Sequence, residues 1–513
     1  MKKAMKTPSL LAVLVLLVPF LVLAVSLVGA PGPGQQEDVS LQAALEHTGR
    51  AVALASRSDE GWIGTEQTYR AYTRLLRALG RTEAAAEPPP PRADPPVTGK
   101  AVAPGGEASV AVVMDSPIGS TFVIRNDPGV AEVEPAVAYN PARWEFLVVW
   151  FNDRPDYPDI QAQRLKWDGT PIGGPFYIAT GAVQRRHPAV AYNSIRDEYL
   201  VVWEHKEGSG TLTSIRGRVV SALGEVLGAS DIIISHGPEL KSCFSPAVVY
   251  GATHDRYLVV WERSVSGSVS ADIEGQLIYG SALEGDNILI ATGSWNYDHG
   301  NPAVAYNPRT NEFLVAWERE DKHDDIYDIC ARRMSSAGAL QGPELVLIYV
   351  TVSNTQPAVA ALPEVSPNGR YLVVWELHND TGNRDIYGRE VAGDGTPLSQ
   401  FYISWAASDE TRPAVAAYDY SERSLVTWKR AADPPYLWTY IHGRNVPTGG
   451  SPLGPESYLG GVQAGRPAVT EGLPGDFLVV YDDQPLLGDR GIYGRLWGNR
   501  IYLPLVVRNA PGP

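Results

Sequence analysis

The residues best suited by type and spacing to do chemistry stand immediately before a recurring Pro-Ala-Val: Glu134, His187, Ser245, Asn301, Gln356, Arg412 and Arg466. Together they offer an acid, an imidazole, a hydroxyl, two amides and two guanidinium groups. Such a set, brought to one place, can hydrogen-bond hydroxyls and amides or pair with charges. A second set comes directly after a recurring aromatic residue: Glu204, Glu262, Glu318, Glu376 and Asp482. With the loops 152–156, 318–325 and 378–385, these carboxylates supply the oxygen ligands that hard cations need. No loop has the spacing of a known calcium loop. The reading is therefore a solvated acidic rim, with no metal site and no cofactor.

The repeat must position these groups. Pro-Ala-Val begins at Pro135, Pro188, Pro246, Pro302, Pro357, Pro413 and Pro467, at intervals of 53, 58, 56, 55, 56 and 54 residues. Seven units of this size fit the blades of a β-propeller. Each unit reads as four short strands: PAVAYN (135–140), EYLVVWE (198–204), DIYGREV (385–391) and FYIAT (176–180) exemplify the first to the fourth. The alternation and β-branched content fit strands. The fold class expected is all-β, a seven-bladed β-propeller of four-stranded blades. The seventh unit lacks its fourth strand, whereas 116–124 (SPIGSTFVI) matches 170–178 (TPIGGPFYI). The amino-terminal strand near 121–126 should thus complete blade seven and remove an exposed edge. A rival is that 501–507 supplies that strand.

Features shared by every blade are first explained by the blade. Trp150, Trp203, Trp261, Trp317, Trp375 and Trp428, with Tyr481 in the seventh place, read as packing between blades rather than a sugar platform. The small residues Ala162, Gly217, Gly275, Ala331, Gly388, Gly443 and Gly494 allow close packing, and their neighbours Gln163, Arg218, Gln276, Arg332, Arg389, Arg444 and Arg495 read as structural hydrogen-bonding positions. In a four-stranded blade, loops joining strands two and three share a face with those leading into strand one. The seven pre-proline residues should ring the channel mouth on that face, forming either a ligand site or a wet channel.

The chain has 513 residues, 44% hydrophobic and 20% charged, with a net charge of −15 and a pI near 5.1. Such acidity argues against nucleic acid as a partner. No GxSxG, HExxH, P-loop or supported GxGxxG is present, nor the Asp-box of sialidases. Paired carboxylates for glycoside hydrolysis stay open, because the acidic loops hold many candidates. Cys243 and Cys330 show no metal spacing and fall on different blades, which favours buried free thiols over a disulfide.

Lys2, Lys3 and Lys6 precede an uncharged run, 10–30, long enough to span a bilayer. Cleaved signal peptide and uncleaved anchor are both open, and either places the chain after residue 31 outside the cytoplasm. The domains expected are the signal or anchor (1–31), a helical stalk or small module (32–86), a Pro-rich linker (87–104), the propeller (105–499) and a tail (500–513). The PAVAYN, EYLVVWE, DIYGRxV, GTPLG and FxIS repeats over 115–497 resemble bacterial exported β-propeller repeat proteins, which are mostly uncharacterised. The segment 502–509 (YLPLVVRN) is similar to a carboxy-terminal segment that recurs in exported bacterial proteins, and reads as a surface-retention tail or an ordinary last strand. The expectation is a monomeric extracellular or cell-surface propeller that binds a glycan or a protein without catalysis, with membrane contact through the first segment if uncleaved. The alternatives are an extracellular polysaccharide hydrolase or lyase and a structural envelope component.

Overall fold

The structure is a computed structural model. It describes residues 116–498 except short loop segments at 155–157, 208–211, 236–240, 266–269, 349–350, 380–381, 419–422, 433–437 and 486–487 and positions 451 and 474. The signal or anchor, helical segment, linker and tail expected from the sequence lie outside the described residues. So does the rival closing strand at 501–507.

Seven four-stranded antiparallel sheets form the blades of one propeller. Blades 1 to 6 span 132–179, 183–233, 241–291, 297–348, 354–404 and 410–460. Blade 7 combines Pro467–Glu471, Asp476–Asp483 and Gly491–Gly498 with the amino-terminal strand Ser116–Arg125, which pairs along Gly491–Gly498. The first strand of each blade packs against the first strands of its neighbours, and that of blade 7 meets that of blade 1. The ring therefore closes as the 116–124 match implies, with the seam inside blade 7.

The core lies between blades. The six tryptophans of the repeat and Tyr481 are fully buried, as is Trp497. Leu147 and Val149 of blade 1 cluster with Tyr199, Val201 and Trp203 of blade 2, and the same pairing recurs around the ring. The small residue of each third strand lies under an aliphatic side chain of the outer strand. A Cβ added at Gly275, Gly388 or Gly443 would stand 2.9 Å from Ile290, Ile403 or Leu459. The adjacent long polar residue ties blades together in blades 4 to 6, where Arg332 donates to the Ile290 carbonyl and Arg444 to the Ile403 carbonyl, each at 2.9 Å on the preceding blade's outer strand, and Arg389 donates to the Leu347 carbonyl; in blades 1 to 3 Gln163, Arg218 and Gln276 bond within their own blade. A second tie lies at the opposite face. Asn140 donates to Asp197 and Asn193 to Asp255, both at 2.9 Å. Both cysteines are free and buried.

Two elements run longer than the sequence pattern implies. Outer strands begin before the FxI motif, as in Pro171–Ala179, because Gly173 (φ 66°) forms a bulge that lets pairing continue through the GG step. First strands begin upstream of Pro-Ala-Val, as in Glu132–Asn140 and Val183–Asn193. Proline lacks an N–H, so the pattern reads as a strand beginning there. A bulge is what allows the strand to pass through it.

Candidate functional site

That bulge builds the channel mouth. In blade 1, Val133 pairs with Phe151 and Ala136 with Val149, so Glu134 and Pro135 together oppose Trp150. The register breaks at the same place in blades 2 to 6. The pre-proline residue takes the left-handed conformation each time: Glu134, His187, Ser245, Asn301, Gln356 and Arg412 have φ between 47° and 54°. A non-glycine residue there costs on the order of 1 kcal/mol. Blade 7 differs: its first strand starts at Pro467, which pairs directly with Tyr481, and Arg466 is not left-handed.

The carboxylate after each aromatic secures the bulge of the next blade. Glu204 accepts the Ser245 N–H at 2.7 Å. Glu262 accepts that of Asn301, Glu318 that of Gln356, and Glu376 that of Arg412. Asp482 accepts the N–H of Glu134 and, at 3.2 Å, that of Arg466. The sequence reading of these five as a solvated acidic rim is corrected: Glu318, Glu376 and Asp482 are buried, and all five are clasps between strands. Hydrogen bonds of this kind offset the strain of the bulge. Repetition of an acid after Trp, opposite an exposed-looking loop, concealed this role. The conformation of the partner residue could not be read from side-chain types.

Burial raises the carboxyls of Glu204, Glu318, Glu376 and Asp482 above their ordinary range, and that of Glu262 to about 7, since the backbone bonds and nearby cations only partly compensate. Glu262 and Glu318 border a cleft of about 420 Å³ between blades 3 and 4, with His299, Asn301 and Tyr327. His299 is buried, and burial lowers its pKa, so it is neutral there. Among the described residues, no group of three or more His, Cys, Asp or Glu converges as a metal site.

The structure brings most of the predicted ring together. His187 Nδ1 bonds the Glu134 carboxylate, and its Nε2 lies 3.8 Å from Glu204. Burial alone would raise Glu134, but the His187 bond and the charges of His187, Arg466 and Arg412 hold it below its usual value. Burial likewise opposes the charged form of His187, yet Glu134 and Glu204 raise its pKa overall. Ser245 and Asn301 are 3.3 Å apart, and Asn301 Nδ2 donates to Glu318 at 3.0 Å. Arg412 and Arg466 are exposed. Burial lowers the Arg466 pKa, and Arg412 is near enough to lower it further. Its side chain thus reaches solvent while walled by protein, as in a channel. Gln356 joins the ring through its backbone.

Fold and site define a seven-bladed β-propeller with a strained, polar, chemically varied channel mouth. No family model and no curated protein matches the chain. Among solved structures it is similar to a protein of unknown function from Dyadobacter fermentans DSM 18053, at 12% identity over 76% of this chain and 100% of that one, with a TM-score of 0.48. It is also similar to polysaccharide lyase Uly1, at 8% identity over 76% and 94% with a TM-score of 0.46, and to the Hadza microbial sialidase Hz136, at 11% over 68% and 76% with a TM-score of 0.41. What the site does rests on its own residues.

Proposed function

We propose that this protein is an exported, non-catalytic binding propeller whose channel mouth takes a glycan or a protein segment. One observation carries the reading. Six residues adopt a left-handed backbone that glycine would adopt without strain, and none of the six is glycine. All are polar and no two are alike. The bulge that holds them is the same in blades 1 to 6, so the strand pairing does not account for the variety. Strained positions maintained with diverse polar side chains at a concave mouth are those expected of a binding site. The lysines at 2, 3 and 6 followed by the uncharged run 10–30 support export. The test is to present the full chain to immobilised glycans and proteins. Retention without chemical change supports the reading, and release of cleaved products contradicts it.

A second reading, a hydrolase or lyase acting on polysaccharide, draws on Glu262. An acid with a pKa of about 7 beside a cleft can donate a proton at neutral pH. Turnover of any polysaccharide that Glu262→Gln abolishes would establish it. Turnover that survives that substitution would remove Glu262 from the reaction.

A further inference from the structure

The mouth is not electrically even. Among the described residues, most cations on the upper loops are matched. Arg384 pairs with Asp409, Arg430 with Glu410 and Glu456, Arg490 with Asp482, Lys322 with Asp298, and Arg319 with Asp328 and Glu344. Arg412, Lys429 and Arg466 are different: among the described residues, no carboxylate bonds to any of their side chains. All three lie in one sector. Lys429 pairs in register with Thr411, the neighbour of Arg412, and Arg466 opens the adjoining blade. Burial lowers the pKa of Lys429 and of Arg466, and the charge of Arg412 adds to it in both, while Asp482 acts the other way on Lys429 and Glu134 and Glu376 on Arg466.

Lys429 also breaks the pattern of the fold. It occupies the position after Trp428, where blades 2 to 5 place glutamate and blade 7 aspartate. An ammonium group has no lone pair to accept an N–H, so blade 6 cannot clasp the next blade as blades 2 to 5 and 7 do. The Arg466 N–H turns instead to Asp482 of its own blade. A clasp has been exchanged for a third positive charge, in a protein whose net charge is −15.

We infer that Arg412, Lys429 and Arg466 form a carboxylate-binding site at the channel mouth, and that the ligand is an acidic glycan. This rests on the reading of the mouth as a ligand site. Guanidinium groups with no carboxylate hydrogen-bonded to them among the described residues, and with a fixed backbone, are preorganised for an anion that competes with the charge of Glu134, because each backbone N–H is already held by Glu376 or Asp482. The sugar is argued from Trp405, which follows the outer strand Pro397–Ser404 of blade 5, and Trp438, which precedes Thr439–Pro447 of blade 6, exposed at 65% and 37%. Flat, solvent-facing indoles suit the C–H faces of pyranose rings.

The test is titration calorimetry of the full chain with oligogalacturonate, with its methyl ester, in which the same sugars lack charge, and with poly-L-glutamate. Oligogalacturonate should bind, weaken with added salt, and exceed both other probes at least tenfold. Arg412→Gln with Arg466→Gln should lower its affinity at least tenfold while the variant still unfolds in one cooperative transition. Lys429→Met is a second variant, with the same expectation. Absent binding of oligogalacturonate, equal binding of the ester or of poly-L-glutamate, or undiminished affinity in both variants would overturn the inference. Binding of the ester alone would leave the mouth a ligand site and remove only the carboxylate. Failure of every glycan and protein to engage the mouth would remove the broader reading as well.

Discussion

Replacing Glu262 with Gln should make the protein more stable at pH 8 and leave it nearly unchanged near pH 4.5. The carboxyl is raised from 4.5 to about 7, by burial first and then by Glu318, Glu204 and Asp298, against the Asn301 N–H that lowers it. A group raised on folding contributes stability below its unfolded value and loses it as pH rises through its folded value. Between 4.5 and about 7 the difference corresponds to about 3 kcal/mol. Glutamine keeps an oxygen that accepts the Asn301 N–H and carries no charge to desolvate. At roughly 2.1 cal/mol/K per residue over 116–498, 3 kcal/mol amounts to about 4 °C in melting temperature. Scanning calorimetry of parent and variant from pH 4.5 to 8 reads this directly. A variant that melts below its parent at pH 8 would refute the reasoning, because the charge would then be strengthening the clasp.

The same geometry sets three further outcomes. Trp317→Ala should lose about 3–5 kcal/mol in denaturant titration, because Trp317 is fully buried among Leu258, Val260 and Ile273 of the preceding blade; an unchanged midpoint would take it out of the core. Gly494→Ala places a Cβ 2.5 Å from the Phe122 ring, so limited proteolysis should cut within 116–125 sooner than in the parent, and equal rates would contradict the seam. Glu134→Gln should cost most stability between pH 4.5 and 6.5. Glu134, held low, contributes above 4.5, and His187, held high, contributes below 6.5 and loses that contribution as pH rises through its folded value. A loss independent of pH in urea titrations would show that the pair is not ionic.

The fold was legible because each blade repeats its instructions. The Trp series, the small third-strand residue and the displaced 116–124 match each report a packing constraint that acts in every blade, and each holds in the structure. The site was legible only in part. The pre-proline residues were singled out by their variety against a constant background, and the structure does gather them. Their backbone was hidden: Pro135 suggests the start of a strand, and nothing in the side chain of Glu134 or Gln356 announces a left-handed residue. The carboxylates were misread for a related reason. Glu318 in a polar stretch reads as solvated, and only the fold shows that the strand of the next blade covers it and donates Gln356 N–H to it. Lys429 carries a signal in the sequence, a cation at a position otherwise acidic in five blades, which gains meaning once that position is known to be a clasp.

The claim at the centre is that the left-handed ring is kept for its side chains rather than for its backbone. The most direct test replaces Asn301, Gln356 and Arg412 together with glycine, the residue that suits their φ values of 47°, 54° and 54°. Melting temperature and affinity for whichever glycan or protein the full chain retains should be measured on the same preparation. The account predicts a melting temperature at or near that of the parent, together with lost binding. A variant that retains full affinity, or one that unfolds while its ligand contacts lie elsewhere, would contradict it.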